Sequence, residues 1–460
     1  MPPSLRPIWV LGAGAAVVTV AMVTSRGGLA GSKASADSVD DVGAINATPP
    51  AASIGGEPLV APAPVSSPAQ LPPLAAPPAP PAPRPISGSL VGDAALAGEI
   101  DLDRMTLAGD HYEVPISGNR TAILTLDPTI QQAAEKTLAR AKAPMGAIAV
   151  VDTDGRVLAL AGRKTTDPKG GKDGISDWHL ALGSWAPAAS IFKIVSASAL
   201  LEAGVEPSDK VCFHGGLRSV TESNLVDGKN DSRCEDLTYA VAYSQNAIIA
   251  KLAHAHLDPD KLGAMAQRLG VSGALPAFAL PGDAGAVDMP ASNDVEFART
   301  AAGFANTKLS AMGGALLADA IATRGESVTP RIVEAVMDHG KRIELSSAPP
   351  RRAISDDTAA QVGHMMEETC ARGTAAKAFH GKRDDLPGGV RVAGKTGTLA
   401  KSDPIFLEYS WFVGYAPADR PTMSIAVVLG NAESWWMKGH QAARMVLAAA
   451  LGRHTTVADR

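Results

Sequence analysis

Trp185-Ala186-Pro187-Ala188-Ala189-Ser190-Ile191-Phe192-Lys193, running on to Gly204, is the stretch whose reading decides the fold. Pro187 ends whatever precedes it, and small residues follow up to Ser190. From there Ile194, Val195, Ala197, Leu200 and Leu201 form an apolar run that predicts a buried helix, with Gly204 as its C-terminal stop. A helix starting at Ser190 puts Lys193 one turn on and on the same face. That brings an amine within reach of a hydroxyl at the positive end of a helix dipole. A lysine held there, partly desolvated, loses basicity and can serve as the neutral base that a serine nucleophile needs. Ser190 is the only serine in the chain followed three residues later by lysine. Such a pattern alone arises by chance about once in a chain of this length, so its meaning depends on what accompanies it.

Two further motifs keep it company. Ser244-Gln245-Asn246 falls in a stretch of helical pattern, 54 residues after Ser190. Alone it is uninformative, since Ser117-Gly118-Asn119 matches it too. Lys395-Thr396-Gly397-Thr398 contains the only Lys-Thr-Gly of the chain, on a strand-like segment (390–395) where a glycine permits close approach of a ligand.

The 460 residues carry a net charge of −5 and a pI of about 6.1, which gives no reason to expect nucleic acid as a partner. Ile8 to Thr24 is an apolar run between Arg6 and Arg26, read as a membrane anchor in preference to a cleaved signal (1–26). Residues 27–100 read as a disordered Pro/Ala-rich linker, with repeated Pro-Ala-Pro and Pro-Pro steps between Pro49 and Pro85. In polyproline II it spans up to about 100 Å. The folded domain is expected over 101–455, outside the cytoplasm, with order returning near Glu113.

Thr121–Leu126 reads as a strand, Asp127-Pro128 as an N-cap with proline at N1, and Ile130 to Ala141 as a helix. Gly146–Val151 and Arg156–Leu160 flank Asp154-Gly155 as a hairpin. Strands at Tyr409–Tyr415 and Met423–Leu429 precede a last helix from about Trp436 to Leu451. With mostly helical pattern between Tyr239 and Ala360, the expectation is an α+β fold: one antiparallel sheet assembled from distant parts, flanked by helices, with a helical subdomain inserted. Trp435-Trp436 is assigned to core or sheet-edge packing, with carbohydrate stacking as the alternative. No metal site is expected: no Cys-x-x-Cys or Cys/His ligand spacing occurs, and His254 and His256 face different ways on a helix. Cys212 and Cys234 are either a disulfide or two buried thiols.

The three motifs, in this order and these contexts, resemble the transpeptidase domain of the penicillin-binding proteins over roughly Thr121 to Leu451. Leu124-Thr125-Leu126-Asp127 with Gln131 resembles that family's domain entry. Gly373-Thr374-Ala375 resembles its Gly-Thr-Ala, and Cys212-Phe213-His214-Gly215 with Cys234 resembles some elongation-type members. The resemblance implies a β-lactamase/transpeptidase-like fold, no cofactor, peptidoglycan stem peptides as substrate and acylation by β-lactams. Ser190 is the implied nucleophile, Lys193 its base and Ser244 the relay to the leaving amine. Asn246 would hold the substrate amide, and Lys395, Thr396 and Thr398 the terminal carboxylate, with Lys395 also keeping Lys193 deprotonated. The oxyanion would sit against the N–H groups of Ser190 and Thr398. The chain departs from the family in having Ala188-Ala189 where Pro-Gly usually precedes the serine. It also shows no glycosyltransferase domain, and the proline-rich spacer stands in place of a folded pedestal. A D,D-carboxypeptidase or endopeptidase would use the same residues. A β-lactam sensor or a serine β-lactamase are the remaining alternatives; against the last, the second motif is Ser-x-Asn and no glutamate is evidently placed for deacylation.

Overall fold

Three apolar runs that lie far apart in sequence are neighbours in one sheet. In the computed structural model, which describes residues 93–380, 386–402 and 405–458, six strands are β1 (Met145–Asp152), β2 (Val157–Thr165), β3 (Gly174–Ser176), β4 (Ala393–Lys401), β5 (Leu407–Ala416) and β6 (Met423–Asn431). Their order is β4-β5-β6-β1-β2-β3, antiparallel throughout. Alternation sends Ile148, Val150, Ile425 and Val427 to one side. There α1 (Pro128–Ala141) and the C-terminal helix Gly439–Ala458 cover them. Ala147, Ala149, Val151, Ala426 and Val428 enter the larger core on the other side. Helices cover both faces, which is why β6 is buried at every position and reads as an unbroken apolar run. The fold is α+β, as expected.

The local readings near the start of the domain hold in detail. Asp127 caps α1 by accepting from the N–H groups of Thr129 and Ile130, with Pro128 at N1; such a cap contributes about 1 kcal/mol. Gln131 does more than begin a helix. Its amide accepts from Leu160 N at 2.8 Å and donates to Leu160 O at 3.2 Å, so a side chain completes the hydrogen bonding of β2 where no strand does. At the β1–β2 turn a Cβ on Gly155 would lie 2.4 Å from Thr329 O, and φ there is +80°, so the turn requires glycine.

Other expectations are corrected. Packed residues occur within the segment read as spacer: Asp93 accepts from the N–H groups of Ala279, Ile332 and Val333, and Leu96 and Ile100 are buried. The short polar steps around them mask that burial in sequence. The expected anchor (1–26) and the rest of the expected spacer lie outside the described residues, and among the described residues no helix is long and apolar enough to cross a membrane. The strand at Arg120–Leu124 joins a separate five-stranded sheet with Val333–Asp338 and Lys341–Glu344. The stretch 239–360, read as mostly helical, thus also carries strands; His339 and Gly340, at φ 47° and 79°, make the two-residue turn of that hairpin. β4 runs from Ala393 to Lys401, later and longer than the 390–395 reading. Trp435 and Trp436 are 37% and 59% exposed, with Lys438 and Lys142 over their rings, so neither belongs to a core. Cys212 and Cys234 are bonded to each other across Val211–Phe213 and Arg233–Glu235.

Candidate active site

The turn that carries Ser190 hangs between two sheets. Ala186-Pro187 pairs with Thr307–Leu309, and Pro187 O accepts from Trp411 Nε1 on β5 at 2.9 Å. The chain then tightens into a 3₁₀ turn, Ala189–Phe192, that passes into α2 (Lys193–Glu202). The predicted helix start is thus a 3₁₀ turn carrying Ser190, and α2 begins at Lys193. Its end is a Schellman arrangement: Gly204 at φ +85°, Val205 N donating to Leu200 O and Gly204 N to Leu201 O. α2 is buried from Lys193 to Leu200, so its position is set by packing on all sides.

Ala189 stands at φ +50°, where an L side chain costs about 1 kcal/mol. This is the position at which the family pattern has glycine, and the strain is the structural consequence of that departure. The turn is held in place by two glycines. A Cβ on Gly303 (φ +87°) would lie 2.1 Å from Ala189 O, and one on Gly397 would lie 3.3 Å from Ile191 Cγ1 and 3.4 Å from Ala189 Cβ. At Gly397, expected to permit close approach of a ligand, the turn that carries Ser190 packs directly on β4. We expect Gly303→Ala to push the turn off β4 and slow acylation by about 10²-fold, checked by labelling rate beside a thermal melt.

Lys193 is fully buried. Its Nζ lies 2.7 Å from Ser190 Oγ, 2.6 Å from Asn246 Oδ1 and 2.7 Å from Ala302 O. Asn246 opens α4 (Asn246–His256), which follows α3 (Leu237–Ala242). Ala302 ends α5 (Val295–Ala302), with Gly303 as its left-handed cap. Asn246 Nδ2 donates to Gly216 O at 2.7 Å and Leu217 O at 3.3 Å, which fixes the amide with its oxygen toward Lys193. Two obligate acceptors therefore face the amine. A neutral amine has two N–H groups, one for each, and a lone pair left over for the Ser190 hydroxyl. Burial holds the Lys193 amine well below the usual lysine range, and the charge of Lys395 lowers it further. Asn246 was expected on the substrate amide; its own amide is committed to Lys193 and to two carbonyls.

Ser244 lies between α3 and α4 at φ +58°, not within a helix. Its Oγ accepts from Lys395 Nζ at 3.0 Å, and Lys395 also donates to Thr396 O at 2.9 Å. The site thus contains two hydroxyl–amine pairs, Ser190 with Lys193 and Ser244 with Lys395. Burial pushes Lys395 down to about 7. Thr396 Oγ1 meets Thr374 Oγ1 at 2.5 Å, while Thr398 is exposed on the same strand. Thr374 belongs to Gly373-Thr374-Ala375, and Gly373 is pressed on Ala242 O so closely that a Cβ would come within 2.1 Å.

The unfolded chain binds more protons than the folded one between pH 7 and 10.5, because Lys395 is depressed only in the fold. Stability is expected to rise across that window, with the burial penalty fully present below it. Lys395→Met should raise stability near pH 6 by ~2–4 kcal/mol and flatten the climb, as thermal melts from pH 6 to 10 would show, while weakening capture of carboxylate-bearing β-lactams.

A family model described as the penicillin binding protein transpeptidase domain matches residues 145–451, and so contains all three motifs. The chain belongs to this family. Within it, the chain is 29% identical to penicillin-binding protein PbpB of Mycobacterium tuberculosis over 345 residues, 70% of this chain and 50% of that protein. It is 27% identical to stage V sporulation protein D of Bacillus subtilis, over 71% of this chain and 52% of that protein. The chain spans about half the length of these curated relatives. Among solved structures it resembles apo penicillin-binding protein 3 of M. tuberculosis, at a TM-score of 0.61 and 25% identity, covering 79% of this chain and 89% of that one. It also resembles the D,D-transpeptidase domain of a peptidoglycan glycosyltransferase from Eggerthella lenta, at a TM-score of 0.56 and 27% identity, covering 74% and 86%.

The structure gathers Ser190, Lys193, Ser244, Asn246 and the 395–398 strand from segments far apart in the chain. Sequence reasoning missed Ala302 and Gly303, although Ala-Ala-Gly at a helix end is a legible stop signal. It also missed Gly216 and Leu217, which no motif marks.

Proposed function

We propose that this chain is a serine D,D-transpeptidase that crosslinks peptidoglycan stem peptides through an acyl-enzyme on Ser190, and that β-lactams acylate the same oxygen. The observation that carries the reading is the convergence of Ser190 Oγ at 2.7 Å, Asn246 Oδ1 at 2.6 Å and Ala302 O at 2.7 Å on the buried Lys193 amine; as a neutral amine it gives its two N–H groups to the last two and turns its lone pair to Ser190. Ser190 attacks the carbonyl between the two terminal D-alanines and its proton passes to Lys193. The Ser244–Lys395 pair hands a proton to the departing amine as the C–N bond breaks. An acceptor amine then attacks the ester and gives its proton to the Ser244–Lys395 pair, restoring it, while the C–O bond breaks and Ser190 recovers its proton from Lys193. As an ammonium, Lys395 keeps one N–H beyond those on Ser244 and Thr396 O, and with Thr396 and Thr398 it receives the terminal carboxylate. That carboxylate favours the charged form of Lys395, which in turn disfavours a second charge on Lys193. Backbone N–H groups of Ser190 and Thr398 are assigned to the oxyanion.

The same reading puts the domain outside the cytoplasmic membrane, tethered through the apolar run 8–24 and the proline-rich spacer. The Cys212–Cys234 bridge supports an oxidising compartment. The test is release of D-alanine from a stem pentapeptide with and without an amine acceptor. We expect release together with a crosslinked product. Release without crosslinking would make the chain a carboxypeptidase, a lasting penicillin adduct with no release would make it a sensor, and rapid loss of that adduct would make it a β-lactamase.

A further inference from the structure

A third buried lysine stands outside the two hydroxyl–amine pairs. Lys251 lies on α4, the helix that Asn246 opens, and its side chain is 8% exposed. Its Nζ donates to Cys212 O at 2.7 Å, to Asp231 Oδ2 at 2.7 Å and to Asp227 Oδ1 at 3.2 Å. Its three N–H groups thus have three acceptors, one of them the buried carboxylate of Asp231, whereas no carboxylate touches Lys193. Asp231 is also hydrogen-bonded to His214 Nδ1 at 2.5 Å and accepts from Gly228 N at 3.1 Å. The His214 contact and then the Lys251 contact hold its carboxyl far below the usual carboxylate range. Asn224 Nδ2 donates to His214 O at 2.8 Å, closing the network inside the loop.

That loop also carries Gly216 and Leu217, whose carbonyls orient the Asn246 amide. At Gly216 (φ +78°) the backbone rests so closely on the first turn of α4 that a Cβ would lie 2.6 Å from Ala247 Cβ. The loop is therefore tied to one helix at two points, through Asn246 at its start and Lys251 further along. The amide orientation matters chemically. Turned over, Asn246 would present N–H groups to Lys193, claim its lone pair and leave Ser190 without a base.

We propose that Lys251, through Asp231, is a positioning residue for acylation: it clamps the 212–231 loop to α4, so that the Gly216 and Leu217 carbonyls hold Asn246 with its oxygen toward Lys193. This rests on Ser190 being the acylated nucleophile. The test is stopped-flow reaction of the full chain with a fluorescent penicillin, resolving reversible binding from the covalent step, with circular dichroism to establish folding. Lys251→Met is expected to lower the acylation rate constant by about 10²-fold and leave the reversible dissociation constant unchanged, because Lys193 acts only in the proton transfer. Lys251→Arg, which keeps charged donors toward the carboxylate and the carbonyl, should restore much of the rate. A folded Lys251→Met protein with the wild-type acylation constant, or with a loss confined to reversible binding, would overturn the proposal. If Lys251→Met does not fold, Gly216→Ala, which lifts the loop off α4 from its other end, decides by the same two constants. Wild-type protein that forms no adduct at Ser190 would instead defeat the reading on which the proposal rests.

Discussion

Ser190→Ala is expected to abolish the penicillin adduct and D-alanine release, lowering the rate by on the order of 10⁶-fold. The size follows from the chemistry: among the described residues no other hydroxyl is hydrogen-bonded to Lys193, so none is placed to take over as nucleophile. The fold should be almost indifferent. Once the hydroxyl is gone, the Lys193 amine keeps Asn246 Oδ1 and Ala302 O for its two N–H groups, so no buried donor is orphaned. Intact-protein mass after penicillin, with a thermal melt as control, checks both halves. An adduct of undiminished yield would show that another residue is acylated. Ser244→Ala, by contrast, should still yield an adduct at Ser190, formed about 10²-fold more slowly or worse, since it removes a proton relay and not the nucleophile.

Lys193→Met should reduce acylation by about 10²–10⁴-fold, the range for removing a positioned general base. Methionine fills a similar volume and removes a buried amine, but leaves Asn246 Oδ1 and Ala302 O without their donor, at about 1–3 kcal/mol each. Lys193→Arg should be no better, because a guanidinium does not give up its proton at any working pH. The pH profile separates a lost base from a loosened site. In wild-type protein the rate rises as Lys193 loses its proton; with methionine that rising limb should vanish. A variant that keeps the limb at reduced height would assign it to another group.

Much of the site was legible because its parts are local. Asp127-Pro128 writes a helix start in two residues, and Ser190 and Lys193 are one turn apart whatever surrounds them. The apolar runs of β5 and β6 admit few structures other than strands covered on both sides. What escaped depends on contacts across sequence distance. Gly397 looks like a strand glycine that admits a ligand, and only the packed structure shows that the turn at Ala189 and Ile191 fills its space. Asn246 belongs to a motif, but its partners Gly216 and Leu217 act through backbone carbonyls that any residue possesses, so no side-chain pattern announces them. Ala302 contributes a carbonyl in the same way. The strands at 333–344 were hidden because helical and strand periodicities both fit short alternations broken by glycine.

The claim on which everything else depends is that Lys193 stands neutral beside Ser190 while Lys395 holds the proton the pair retains. The most direct measurement is the second-order acylation constant of wild-type protein across pH 4 to 11, which reports ionisations of the free enzyme. The account predicts a bell: a rising limb with its midpoint well below the ordinary lysine value of 10.5, and a falling limb near 7 as Lys395 discharges, the two belonging to the coupled pair. A constant that climbs without a break to a midpoint near 10.5 would mean that Lys193 is charged at neutral pH, and would contradict the mechanism.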